Sequence, residues 1–243
     1  MNIVSHRGNA PGFAELTRAA FEHALRLPIH GVECDVRLSA DGVVMVQHDA
    51  TVDRTSDGSG TVAEMSAAEL RDLNIGTVDR PQQMLTLEEL LTLVADAGDK
   101  HLYLEIKDPA LTSPALEKQV ALDLRRAGLL SDPRLHIISF SHAAIRRMGR
   151  LAPRLERFYL RPDREVRLNR ADLLFSRPTG LGLSIRSARL RPSLIGARGL
   201  PSYLWTVNDP EDMRFAIQAG VDVLATDDPR LAVDTLAGIS PVD

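Results

Sequence analysis

The sequence predicts an α/β fold, a (β/α)8 TIM barrel with a small excursion after its second strand. Three observations carry that prediction. Short apolar runs of strand character recur along the whole chain, stretches of helical periodicity separate them, and the chain's length suits one barrel. A single barrel domain over residues 1–243, with an insertion at about 53–81, accounts for the whole sequence. The apolar fraction is 44% against 4% aromatic, so the core is expected to be built from Leu, Val, Ile and Ala.

In chain order, strands are predicted at 3–6, 31–38, 43–48, 101–107, 135–140, 157–161, 181–185, 202–207 and 223–226. Between the first two, Phe13, Leu16, Ala20, Phe21, Ala24 and Leu25 fall at the three- and four-residue spacing of one helix face. Similar stripes run through 85–97, 115–127, 143–151 and 212–219. Thr86 ahead of Glu88 and Glu89 reads as a helix start, as does Asp209-Pro210-Glu211, and Gly98, Gly128 and Gly220 each close a helix. Residues 53–81 break the alternation. They hold Asp57-Gly58-Ser59-Gly60, a short helix at 66–73 capped by Ser66, and then Asp79-Arg80-Pro81. No Gly-Lys-Ser/Thr follows the glycines, so they are read as a turn and not as a phosphate cradle. Val62, Met65, Leu70 and Leu73 are spaced to pack onto the barrel, which leaves little apolar surface for a lipid chain.

Composition excludes several classes. The 29 basic and 33 acidic residues give a net charge of −4 and are interspersed, so there is no nucleic-acid arm and no polybasic membrane segment. Cys34 is the only cysteine, which rules out an intramolecular disulfide and a Cys-based zinc site. Met1 leads directly into an apolar strand without a signal-like pattern, and no run reaches transmembrane length. The expectation is a cytoplasmic protein with no nucleic-acid partner and no stable membrane association.

The unusual chemistry is concentrated in the first fifty residues. Ser5-His6-Arg7-Gly8, Val32-Glu33-Cys34-Asp35-Val36 and Gln47-His48-Asp49 put charged groups at strand ends, where burial without a partner is costly. Glu33 and Asp35 lie two apart on one strand, so both carboxylates face one side and the Cys34 thiol the other. Glu105 follows an apolar run in Leu102-Tyr103-Leu104-Glu105-Ile106-Lys107. Three such acids either hold a hard cation, Mg2+ or Ca2+, or form a buried ion-pair network with Arg7 and Lys107. A lone strand-end histidine is usually structural, whereas His6 and His48 beside an acid cluster are better explained as an acid/base pair. Arg7 by its planar fork and Lys107 as a point charge suit a phosphate. His23, His30, His101, His136 and His142 are read as surface or structural.

These motifs resemble the glycerophosphodiester phosphodiesterase family. The resemblance rests on His6-Arg7-Gly8, on Glu15 at the position of the family's Pro-Glu-Asn-Thr element, on Gly31 through Val36, and on Asp41-Gly42 with His48-Asp49. It continues through Arg54-Thr55 with Gly58 and Gly60, Leu87-Glu88-Glu89-Leu90, Leu104 through Lys107, Ser139-Phe140, Trp205 through Asn208, Gly220-Val221-Asp222 and Thr226-Asp227. The resemblance implies a TIM-barrel enzyme that hydrolyses glycerophosphodiesters to glycerol 3-phosphate and an alcohol, and the polar excursion at 53–81 points to a small water-soluble diester. It implies one divalent cation, Mg2+ or Ca2+, on Glu33, Asp35 and Glu105, with His6 and His48 as general acid and base. Arg7 and Lys107 would hold the phosphoryl oxygens, and Trp205 would pack on the glycerol or flank the site. A glycerol hydroxyl would attack phosphorus first, and water would then open the cyclic phosphate with the histidines exchanging roles. Asp227 is read as a turn or helix-cap residue.

The chain departs from the family at Leu16, where Asn is usual, at Phe13-Ala14, and at Gln82-Gln83-Met84-Leu85, which lacks the common Pro-Thr helix start. The rival readings are a related barrel lyase that stops at a cyclic phosphate and, in another class, a binding protein that has lost catalysis. The intact set of His6, His48, Glu33, Asp35 and Glu105 weighs against the second. A Schiff-base enzyme on this fold is disfavoured because Asp108 would keep Lys107 protonated.

Overall fold

A computed structural model describes residues 1–107, 113–165 and 169–238. Asp108 and the last residues of the predicted domain, 239–243, lie outside the described residues. Eight parallel strands close a barrel: β1 (Asn2–Ser5), β2 (Gly31–Leu38), β4 (His101–Ile106), β5 (Leu135–Ser139), β6 (Glu156–Leu160), β7 (Gly180–Ser184), β8 (Ser202–Trp205) and β9 (Val223–Thr226). Each pairs in parallel with its neighbours, and closure comes where Val4 and Ser5 of β1 meet Gly31 and Val32 of β2.

The third predicted strand, at 43–48, is real but does not belong to the barrel wall. β3 (Val44–Val46) runs antiparallel to the end of β2. Val36 pairs with Ile106 on one side and Val46 on the other, so β3 takes up the β2 edge that β1 has left. This hairpin carries the excursion out over the C-terminal rim. Its short helix, α2 (Ala67–Asp72), has Ser66 at the N-cap in a capping box with Glu69. Val62 and Leu70 are buried with Met45, Val52, Ile75 and Met84 beneath the excursion.

The outer helices include α1 (Arg18–Leu25), α3 (Leu87–Asp96), α4 (Ala115–Arg126), α5 (His142–Leu151), α6 (Arg170–Ser176), α7 (Ile185–Leu190), α8 (Pro210–Gln218) and α9 (Pro229–Ala237). Thr86 closes a capping box with Glu89, Asp209 caps α8, and Gly98, Gly128 and Gly220 follow helices at φ near +70° as predicted. The first helix is shorter than its stripe implied. It begins at Arg18 with the Thr17 hydroxyl accepting from the Ala20 N–H, so Phe13 and Leu16 lie in the loop ahead of it. α6, α7 and α9 were not read from the sequence, since their apolar stripes are short.

Strand alternation sorts the core into two layers. Val32, Cys34 and Val36 face the helices and pack with Phe21, Leu87, Leu90 and Leu91. Val4, Tyr103, Ile138, Phe158, Leu160, Tyr203 and Val223 fill the barrel. Burying each large side chain stabilises by roughly 1.5–3 kcal/mol. Gly180 and Gly182 leave the room that Phe158 and Leu160 occupy, since a Cβ at either would fall within 2.4 Å of those side chains.

Candidate active site

The C-terminal rim, where barrel enzymes place their chemistry, gathers every residue predicted for the site. His6 and Arg7 follow β1, Glu33 and Asp35 end the inward face of β2, and His48 follows β3. Glu105 lies next to the end of β4, Lys107 directly follows that strand, and Trp205 ends β8. Together His6, Arg7, Glu33, His48, Glu105, Lys107 and Trp205 line a cavity of ≈180 Å³ closed by Phe140 and Tyr203. A larger cavity of ≈390 Å³ lies alongside, but of the site residues it borders only Lys107.

Glu33 and Asp35 are each 1% exposed and Glu105 is 6%. One oxygen from each lies within 4.8 Å of the other two. Burial first, then Asp35 and Glu105, raise the Glu33 carboxyl well above its ordinary range. Burial and Asp35 push Glu105 up to about 7, against the pull of Lys107. The ion-pair network weighed from sequence is present: Lys107 Nζ is 3.1 Å from Asp35 and 2.7 Å from Glu105, and Arg7 Nε is 3.3 Å from Asp35. Yet two cations face three acids: Glu33 Oε1 is buried with no hydrogen bond, and the two Asp35 oxygens have their ion-pair contacts but no well-aligned hydrogen bond. Three buried carboxylates converging on one point, one oxygen of them unpartnered and the trio not neutralised by its two cations, are the donor set of a hard divalent cation, so the residues fit the metal predicted for them.

This cluster gives a pH prediction. Glu105 holds its proton more tightly folded than unfolded, so its stabilising contribution is complete below about pH 4.5 and is lost as pH rises through about 7. His48, lowered chiefly by burial, and His30, lowered to about 4 by burial and the neighbouring His101, titrate with the opposite sign. The comparison that isolates Glu105 is metal-free wild type against Glu105→Gln. Wild-type stability is expected to fall relative to the variant between pH 4.5 and 7. A constant difference in chemical denaturation across that range would contradict it.

Local backbone explains the His-Arg-Gly order. Arg7 sits in the left-handed region (φ 56°, ψ 26°), a costly conformation for a side-chain-bearing residue that turns its N–H onto Glu33 Oε2 at 2.9 Å. Gly8 follows at φ 66° against the Phe21 ring, where a Cβ would lie 2.8 Å away. Leu16, in the family's Asn position, also has positive φ (58°) but is 2% exposed in the outer core. The loop is instead held through Glu15, which accepts from Arg7 (3.1 Å) and Arg54 (2.7 Å).

Each histidine is oriented by a carboxylate at Nδ1. His6 Nδ1 is 2.8 Å from Asp227, which also accepts from Asn9 (2.9 Å) and Asn208 (2.7 Å). His48 Nδ1 is 2.5 Å from Asp49, which Arg54 braces at 2.6 Å. A carboxylate there fixes the proton on Nδ1 and leaves Nε2 as the exchanging nitrogen; His6 Nε2 stands 4.0 Å from Glu33. Asp227 stands in the bend between β9 and α9, as a turn residue would, but the reading of it as a helix cap is corrected: the cap of α9 is Asp228, and the Asp227 side chain is turned to His6. Despite its burial, the bonds from His6 and Asn9 hold Asp227 well below the usual carboxylate range. Asn9 was missed, and Phe140 and Asn208 stood in the motifs quoted above without a role. The Asp-after-His pairing at 48–49 was the one local signal, because Asp227 lies 221 residues from His6. Trp205 packs edge-on to Phe140 at 5.3 Å, and its buried Nε1 has no partner. His30, His101 and His136 stack together at the opposite end of the barrel, where one ring nitrogen from each lies within 4.8 Å of the others.

The model of the glycerophosphoryl diester phosphodiesterase family matches residues 6–231. The chain belongs to that family. A Mycobacterium tuberculosis relative named "Probable glycerophosphodiester phosphodiesterase 1" is 33% identical over 93% of this chain and 89% of its own length. The glycerophosphodiester phosphodiesterase of Caldanaerobacter subterraneus is 29% identical over 96% of both. Among solved structures, the Agrobacterium tumefaciens glycerophosphodiester phosphodiesterase superimposes with a TM-score of 0.79 at 28% identity, covering 98% of this chain and all of that one. The chain is therefore a phosphodiesterase-family hydrolase on a closed barrel. No helix among the described residues is long and apolar enough to cross a membrane.

Proposed function

We propose that the protein hydrolyses small glycerophosphodiesters to glycerol 3-phosphate and an alcohol, with His6 and His48 moving the protons. The observation that carries this is two carboxylate-oriented histidines bordering one cavity together with Glu33 and Glu105, two members of a buried, under-neutralised acid trio that Asp35 completes behind them. Glu33, Asp35 and Glu105 would hold one divalent cation, Mg2+ or Ca2+. When bound, such an ion offsets phosphate charge and makes a contacting hydroxyl more acidic. Arg7 and Lys107 face the same cavity and bind phosphoryl oxygens, Arg7 through its fork and Lys107 as a point charge. One histidine takes a proton from the attacking oxygen at Nε2 while the other gives one to the departing alkoxide. Opening of a cyclic phosphate by water reverses the two roles. Phe140 and Trp205 wall off the cavity and exclude solvent.

Asp227 acts through His6. Asp227→Asn keeps the size of the side chain but removes its charge and its fixed acceptor role, so kcat is expected to fall ~10–100-fold, the lower part of what a mispositioned acid or base costs. KM should change little, since Asp227 does not line the cavity. An unchanged kcat would remove Asp227 from the account.

Substrate size turns on the excursion: Val62 and Leu70 are buried beneath it, which favours a small soluble diester, while Val62 also borders the ≈390 Å³ cavity beside Lys107 where an acyl chain would have to lie. The test is a turnover screen of glycerophosphocholine, glycerophosphoethanolamine, glycerophosphoglycerol and lysophospholipids with product identification. Glycerol 3-phosphate from the soluble diesters supports the proposal. Accumulating cyclic phosphate would assign the lyase reading, and no turnover of any diester the binding-protein reading.

A further inference from the structure

Away from the catalytic rim, between α5 and α6, four arginines line a separate cavity of ≈320 Å³. Arg146 and Arg150 come from α5, Arg157 from the start of β6, and Arg177 from the C-cap of α6. Arg146, Gly149 and Arg150 share one face of α5 at three- and four-residue spacing. Phe158 points into the barrel, so alternation along β6 sends Arg157 outward beneath that face.

Arg157 is 8% exposed. One terminal nitrogen donates to the carbonyls of Leu155 (2.5 Å) and Pro153 (3.4 Å), but Nε is buried with no partner. Gly149 packs directly over that nitrogen, and a Cβ there would stand only 3.2 Å from it. Arg146 donates to the Phe175 carbonyl at 2.7 Å and stacks on the Phe175 ring. Among the described residues, no carboxylate forms an ion pair with any of the four. The contrast is local, for Arg147 on the same helix pairs with the buried Glu117 at 3.0 Å. A buried guanidinium ordinarily needs an opposite charge, and several converging without one repel each other. Burial accordingly pulls the Arg157 guanidinium below its ordinary range.

We propose that this cavity is a second anion site, which takes a phosphate-class oxyanion between α5 and α6. Such an anion supplies the missing charge and accepts from several guanidinium forks at once. Inorganic phosphate and a phosphate monoester share that chemistry.

Calorimetric titration of the full chain with inorganic phosphate, and separately with glycerol 3-phosphate, at constant ionic strength tests the proposal. The variant of choice is Arg150→Glu with Arg177→Gly. Arg150 is exposed on a helix, and glycine accepts the φ of 50° at position 177 without cost. This variant should lose one equivalent of bound anion or bind it at least ~tenfold more weakly, as expected for removing charge-assisted contacts. Its turnover of glycerophosphocholine should match wild type, which separates this cavity from the catalytic one. Arg157→Met should show the same loss. The anion that wild type holds more tightly identifies the source. Equal stoichiometry and affinity in wild type and the double variant would overturn the proposal.

Discussion

His6→Ala and His48→Ala are each expected to lower kcat by roughly 10²–10⁴-fold, the range for losing a positioned acid or base. Both rings stand at strand ends on the rim and are partly exposed, so their removal should spare the core. The double variant should be little worse than the more damaging single one, because two groups that pass one proton each way act as a unit. The structure adds a distinction between them. His6 is held by Asp227 within a set of amides, whereas His48 is held by Asp49, Arg54 and Glu15 in a chain that ends on Arg7. Breaking that second chain with Arg54→Ala should also disturb phosphate binding through Arg7. Steady-state kinetics decide the matter, and wild-type kcat in either single histidine variant would show that ring to be structural.

Glu33→Gln is expected to abolish divalent-cation binding and turnover while making the metal-free protein more stable. The two effects share one cause. Glu33 is buried beside Asp35 and Glu105, and burial and their charge oppose its ionisation. An amide ends that repulsion, and its oxygen can still accept from the Arg7 N–H. In a chain of this size each ~1 kcal/mol gained raises Tm by about 2–4 °C. Such a trade, stability given up to hold a functional charge, is common at catalytic sites. Calorimetric metal titration and thermal unfolding together read it. A variant that still binds the cation with wild-type affinity would remove Glu33 from the ligand set.

Much of this was legible in the sequence because the decisive signals are local. Alternation puts Glu33 and Asp35 on the inner face and Cys34 on the outer one, and the structure places them so. Capping residues such as Ser66 and Thr86 announce their helices within three residues. The failures required distance information or strain. Asp227 meets His6 only through closure of the barrel, and nothing in Thr226-Asp227-Asp228 says which acid caps α9. Phe13 and Leu16 keep helical spacing with α1 but precede it, because Leu16 takes a left-handed backbone to reach the core. The strand at 44–46 has the same apolar pattern as its barrel neighbours, and only its pairing with β2 reveals an antiparallel hairpin.

Release of glycerol 3-phosphate from glycerophosphocholine, followed before chelation, after chelation, and after restoring Mg2+ or Ca2+, tests most directly whether the buried acids serve a cation or only Arg7 and Lys107. The account predicts loss of turnover on chelation and its recovery with the added ion in wild type, with no recovery in Glu33→Gln. Undiminished turnover by fully chelated wild-type protein would contradict it.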